Sequence, residues 1–275
     1  MRILSTLITL AVSGAGLYYM ADKNPALKAK AEEILDFRTT TAFELRYGPE
    51  QVMEKEHKTL LREKGARFLD PELKFYPYLV LEVKYSEGRK TKEGVILWDL
   101  TDGEMILDTK SWDKTHGFAD CILTGAQKHE LRILNLLAQK GGSADERTLL
   151  DTLDLELPTL EMMLRGCLKK NLILSSGPGR YRLHLESPKL TATPETKLNV
   201  ALTSKSYKRA SKAPRLFAPS QIKRLAAVAF GADFSIRQAT EVYLPVHRIV
   251  VQHPNGTVDS TYYNALTGKS LPTTL

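Results

Sequence analysis

Apolar positions recur along this chain with two periods, and the switches between them set out the expected elements. A proline suited to a first helical turn opens each of two helical segments. After Pro49 come Val52, Leu60 and Leu61, and after Pro219 come Ile222, Leu225, Val228 and Ala229. Each segment then gives way to alternation with a period of two, which predicts a strand. Leu79, Leu81, Val83 and Tyr85 share one face in the first, and Val246, Arg248, Val250 and Gln252 hold the matching positions in the second. There the run Ile249-Val250-Val251 reads as buried on both faces. Between these segments the helical period returns three times. Lys128 to Lys140 carries Leu131, Leu134, Leu137 and Ala138 and stops at Gly141-Gly142. Ser143-Ala144-Asp145-Glu146 opens a second helix with Leu149, Leu150 and Leu153. Pro158 starts a third with Leu160, Leu164 and Leu168. Leu172-Ile173-Leu174 and Arg180-Tyr181-Arg182-Leu183-His184 read as two strands around a glycine-rich tip.

The stretches from Pro49 to Glu104 and from Pro219 to Lys269 read as two copies of one helix, strand, turn, strand unit. Pro77 to Gly88 and Pro245 to Gly256 both span eleven positions. Both copies end in a turn, Asp99 to Glu104 and Asn264 to Lys269, whose glycine can take positive φ. The unit resembles the small PepSY-type α+β domain, most visibly from Ser220 to Leu271, and that resemblance implies a noncatalytic binding or regulatory module. The middle, about 124–185, resembles the winged helix-turn-helix domain, through the runs Glu130 to Ala138 and Leu168 to Ile173 and the hairpin after them. The expected fold is therefore α+β: a central winged helix flanked by two similar helix-plus-β-hairpin units, behind an N-terminal hydrophobic helix. The corresponding divisions are 1–23 anchor or signal segment, 24–48 helical connector, 49–123 first unit, 124–187 winged helix, 188–218 basic linker and 219–275 second unit.

Ile3 to Ala21 carries no charge, which is near the roughly 20 residues that cross a bilayer as a helix. Arg2 precedes it, while Lys23, Lys28, Lys30 and Arg38 follow, so an uncleaved anchor leaves the body on the cytoplasmic side of an inner membrane. The same letters also read as a signal peptide cleaved near Ser13-Gly14-Ala15, which makes the protein an exported envelope protein.

Charge enters through its distribution. The net charge is +7, and one stretch, 188–224, holds nine basic residues against Glu195 alone. The winged-helix resemblance implies that Thr159, Met162, Arg165 and Lys169 face DNA, with Lys170, Arg180 and Arg182 near phosphates. Lys205, Lys208, Arg209 and Lys212 of the linker extend that basic surface, with Tyr207 available for stacking. Against this, Asp145, Glu146, Asp151, Asp154, Glu156 and Glu161 crowd the second and third helices with only Arg147 among them. That face favours a basic protein partner, so nucleic acid and a basic protein both stand as expected partners.

Chemistry-bearing motifs are few. His57, His116, His129, His184, His247 and His253 do not fall at metal spacing, and Cys121 and Cys167 form no C-x-x-C pair, so they read as buried thiols. There is no phosphate loop, dinucleotide fingerprint or nucleophile elbow. Ser111, Asp113, His116 and Cys121 lie close in sequence, but triad members meet through a fold rather than as neighbours. This stretch reads as a polar connector with Trp112 and Phe118 packing inward. The expectation is a non-enzymatic regulatory protein without metal or cofactor, anchored in a membrane and binding nucleic acid through wing and linker, or alternatively a protein-interaction adaptor.

Overall fold

Two strands far longer than the alternation predicts form the spine of the computed structural model, which describes residues 40–271 apart from 89, 186, 187, 192, 208–210 and 232. In chain order the elements are β1 (Thr40–Phe43), α1 (Pro49–Leu60), β2 (Arg67–Phe68), β3 (Glu72–Glu87), β4 (Lys90–Asp99), β5 (Met105–Asp108), β6 (Asp113–Lys114) and α2 (Phe118–Leu123). Then come α3 (Lys128–Gln139), β7 (Ser143–Asp145), α4 (Glu146–Leu153), α5 (Leu157–Lys169), β8 (Ile173–Gly177) and β9 (Arg180–Leu183). The chain closes with β10 (Ser204–Tyr207), α6 (Pro219–Ala229), β11 (Ser235–Gln252), β12 (Val258–Asn264) and β13 (Lys269–Ser270). The 16 residues of β3 and the 18 of β11 pair antiparallel from Phe75 opposite Pro245 to Lys84 opposite Ser235. Around them a ten-stranded sheet, ordered β10-β1-β11-β3-β4-β5-β6 with β2, β12 and β13 beside it, curls into a half-barrel. A separate three-stranded sheet runs β7-β9-β8.

The β3–β11 pairing interlocks the two sequence-similar segments. Tyr76 stands opposite Leu244, and each lies one position before the proline of its own segment, so a local two-fold axis passes through this pair. Contacts on either side obey the same axis. Val52 of α1 packs on Ile249 and Tyr263 of the second hairpin. Ile222, Leu225 and Ala226 of α6 join Leu81 and Trp98 of the first. The Arg46 and Tyr47 N–H groups donate to the Ala265 carbonyl, each at 2.9 Å, and those of Leu216 and Phe217 donate to Leu100 at 2.9 and 3.0 Å. Both helices are capped alike, with Gly48 N–H donating to Gln51 at 2.9 Å and Ala218 N–H to Gln221 at 2.8 Å. An isolated hairpin leaves its outer backbone groups unpaired and is marginal in water. Pairing the long strands satisfies those groups, and α1 then covers the second segment's hairpin through Val52.

Alternation in β3 and β4 sorts residues onto two faces. Leu79, Leu81, Val83, Tyr85, Ile96 and Trp98 form one continuous core with residues of α2, α3, α5 and α6. Tyr76, Tyr78, Leu97, Val242, Leu244 and Val246 point the other way and are covered by Phe43, Trp112 and Ala213. The basic stretch is laid against this sheet as well. Thr196 is 2% exposed; its N–H donates to Val95 at 2.8 Å and its hydroxyl to the Ile106 carbonyl at 2.7 Å.

Four expectations are corrected. The fold is α+β, but it is not a central winged helix flanked by two helix-plus-hairpin units. The large sheet dominates, and the segments expected as flanks are fused within it. Neither the winged-helix nor the PepSY-like identification stands. Leu131, Leu134 and Leu137 of α3 and Leu160 and Leu164 of α5 belong to one continuous core that also takes in Leu81 and Trp98. The N-terminal hydrophobic run, 3–21, lies outside the described residues, and no helix among the described residues is long and apolar enough to cross a membrane. Among the described residues nothing supports the single-pass anchor, the inner-membrane placement or the membrane as a partner, and they are not carried further. The regulatory reading built on that anchor and on a winged-helix DNA reader, with its adaptor and exported-module alternatives, falls with the architecture that carried it.

Candidate binding groove

Helix α3 exists because its apolar residues fall on adjacent turns and its first turn is closed twice. Glu130 accepts from the Gln127 N–H at 2.7 Å and from Lys170 Nζ at 2.6 Å. The Glu130 side chain crosses so close to α5 that a Cβ at Gly166 would stand 2.9 Å from Oε1. With that face of α3 turned inward, Lys128, Leu131, Arg132, Asn135, Leu136 and Gln139 fall on another. Opposite them stand Thr152 and Leu153 at the end of α4, and Val228, Ala229, Phe230 and Gly231 where α6 ends. The groove between these walls encloses about 340 Å³. Its floor is apolar, formed by Leu131, Leu136, Val228 and Phe230. Its charged lining residues are Lys128 and Arg132, with no carboxylate among them. The Arg132 guanidinium donates to the Leu153 carbonyl at 3.2 Å, and among the described residues neither cation has a carboxylate partner.

Elsewhere, the buried carboxylates and Lys114 are closed by partners from within the fold, whereas His247 is closed at one ring nitrogen only. Glu104 accepts from Thr115 Oγ1 at 2.6 Å and from the N–H groups of Gly117, Ala119 and Phe118 at 2.8, 3.0 and 3.2 Å. Its charge thus sits on the N-terminus of α2, where helix dipoles favour an anion. Lys114 Nζ bridges Asp99 at 2.6 Å and Asp102 at 2.7 Å. Burial, and then the neighbouring Asp99 carboxylate, raise Asp102 to about 6 against the pull of Lys114. For Lys114 burial opposes the charge, but Asp99 and Asp102 more than offset it and the ammonium is raised. His247 is held below the usual imidazole range by burial, and its Nε2 lies 2.9 Å from the Tyr47 carbonyl, to which the neutral ring donates. Cys121 and Cys167 are buried thiols; desolvation pushes Cys121 well up and Cys167 to about 12, so neither is a ready nucleophile.

The residues singled out from sequence fall into three places. Thr159, Met162, Arg165 and Lys169 are exposed along α5, with Met162 60% exposed; Arg165 stands 4.0 Å from Glu161 one turn earlier. Lys170 instead points inward to Glu130 and the Gly125 carbonyl. Arg180 and Arg182 are exposed on β9. In the basic stretch Lys205 pairs with Glu44 at 2.6 Å and Lys212 lies 5.1 Å over the Tyr243 ring. Lys208 and Arg209 lie outside the described residues. Among the described members of the set, Lys170 and Lys205 lie on carboxylates and Lys212 on an aromatic ring. This placement identifies neither nucleic acid nor a basic protein as a partner.

Comparison with protein-family models, with curated proteins and with solved structures returns no match. The groove therefore rests on its own residues. Reading the sequence missed it because Leu136 and Phe230 meet only through the fold. One signal was present: Lys128, Leu131, Arg132, Asn135 and Gln139 recur at i, i+3, i+4, i+7 and i+11, a second helical face beside the apolar stripe.

Proposed function

We propose that this chain is a noncatalytic docking protein that holds a segment of a partner protein in the groove between α3 and α6. The observation carrying this reading is the groove itself, an apolar floor beneath two cations that lack carboxylate partners among the described residues. Such a surface gains by excluding water from the floor and by supplying counter-charges to the rim. The buried carboxylates are spent on internal partners, and His247 meets the Tyr47 carbonyl through Nε2 while its Nδ1 is buried without a hydrogen bond. A peptide display library panned on the whole chain tests the proposal, with Val228→Glu and the rim variant Asn135→Arg as comparators. Enriched peptides are expected to bind the parent chain and to lose at least about tenfold in affinity on Val228→Glu, the scale of burying an unpaired charge against an apolar floor. Peptides that bind the parent and both variants equally place docking elsewhere and refute the proposal.

A further inference from the structure

We infer that the segment taken by this groove is a short amphipathic helix with carboxylates at one end; the inference rests on the docking reading above. One long wall is the helix α3, the opposite wall is the end of α6 with Phe230 and Gly231 beyond it, and no strand edge lines the cavity. An extended peptide would find no strand edge to join, whereas a helix brings its backbone already paired. Lys128 to Gln139 covers eleven residue steps, about 16 Å of helix, which is room for about three turns of an occupant. The floor formed by Leu136, Val228 and Phe230 asks for apolar side chains along one stripe of that helix.

Charge then fixes the ends. Lys128 and Arg132 occupy the N-terminal half of α3, while the C-terminal half presents neutral Asn135 and Gln139. The N-terminus of α3 is itself already met by Glu130, whose carboxylate is engaged by the Gln127 N–H and by Lys170. The other nearby carboxylates leave the two cations unpaired: Asp151 stands 3.9 Å from Arg147, and Asp154 does not line the cavity. A basic segment would set cation against cation at this end, and a neutral one would cover two cations without giving either a counter-charge. Carboxylates over Lys128 and Arg132, followed by an uncharged polar edge over Asn135 and Gln139, match the whole length.

The test uses two labelled peptides of about fourteen residues with identical leucine stripes, one bearing Glu in its first two turns and the other Lys. Binding to the full chain is followed by fluorescence anisotropy. The Glu peptide is expected to bind about three- to tenfold tighter at low salt, the range two rim ion pairs supply, and the gap is expected to close at high salt as the charges are screened. Lys128→Glu with Arg132→Glu, both on exposed positions, is expected to reverse the order. Equal affinities, or a preference that survives the reversal, overturn the inference. Display-enriched peptides that need Val228 but carry no carboxylates also overturn it while leaving the docking reading intact. Failure of every peptide, designed or enriched, to respond to Val228→Glu removes the docking reading and this inference together.

Discussion

Gly103→Ala measures how tightly the two halves of the sheet are interlocked. Gly103 lies in the turn after β4 at φ +77°, and a Cβ there would meet the Phe217 ring at 2.9 Å. The ring belongs to the segment leading into α6, whose Leu216 and Phe217 N–H groups are bonded to Leu100 in the same turn. Two costs follow. Holding a non-glycine residue in left-handed backbone costs roughly 1–2 kcal/mol, and pushing a buried ring from its place adds roughly 1–3 kcal/mol. The expected loss is thus about 2–5 kcal/mol in urea denaturation, in the range of large single-site effects. Gly88→Ala isolates the first cost, since φ there is +61° with no described atom within 4 Å of the new Cβ. Its expected loss is only about 1–2 kcal/mol. Phe217→Leu in the Gly103→Ala background should recover much of the steric part, giving a coupling energy of about 1 kcal/mol or more between the sites. If Gly103→Ala costs no more than Gly88→Ala, or if no coupling to Phe217 appears, the reasoning that packs each half's turn under the other half's ring is refuted.

Two pH-dependent outcomes follow from the polar clusters. Asp102 is raised from 3.8 to about 6, so between those values the native chain holds a proton that the unfolded chain has lost, and stability falls as pH rises through the window. Asp102→Asn keeps the oxygen that accepts from Glu104 N–H at 3.0 Å and should stabilise the protein by about 1–3 kcal/mol at pH 8 relative to pH 4; an unchanged pH profile in denaturation would count against the cluster. His253 places Nδ1 2.8 Å from Glu63 and Nε2 3.0 Å from Asp259, and only the imidazolium can donate to both. These carboxylates, Glu63 first, raise its pKa above the usual value, so the clasp is complete below the unfolded histidine's pKa and is lost as pH rises through the folded one. Amide protection in β2 and the 253–257 turn is expected to fall between pH 6 and 9 in the parent chain and not in His253→Gln; equal behaviour of the two would show that the clasp holds nothing.

Local elements were legible from short-range patterns in the chain. Pro49, Pro158 and Pro219 sit in the first turns of α1, α5 and α6. The run Ser143 to Glu146 leads into α4, although the cap is Asp145, accepting from Thr148 N–H at 2.7 Å, and Ser143 lies in β7; Gly141 and Gly142 take positive φ beyond α3, and Leu79, Leu81, Val83 and Tyr85 lie buried along β3. These are consequences of residues within a few positions of one another, where periodicity, caps and backbone preference act. Tertiary structure decided the rest. The three middle helices were read as a self-contained reader, but their leucines cannot declare in sequence whether they meet each other or Leu81 and Trp98. The charges of Lys170, Lys205 and Lys212 read as free, yet partners 31 to 161 positions away engage them. The groove joins Leu136 to Phe230 across two elements with no sequence relation. Hydrophobic attraction has no direction and acts between whatever apolar faces the chain brings together, so a pattern of apolar positions fixes which faces must be covered and leaves open what covers them.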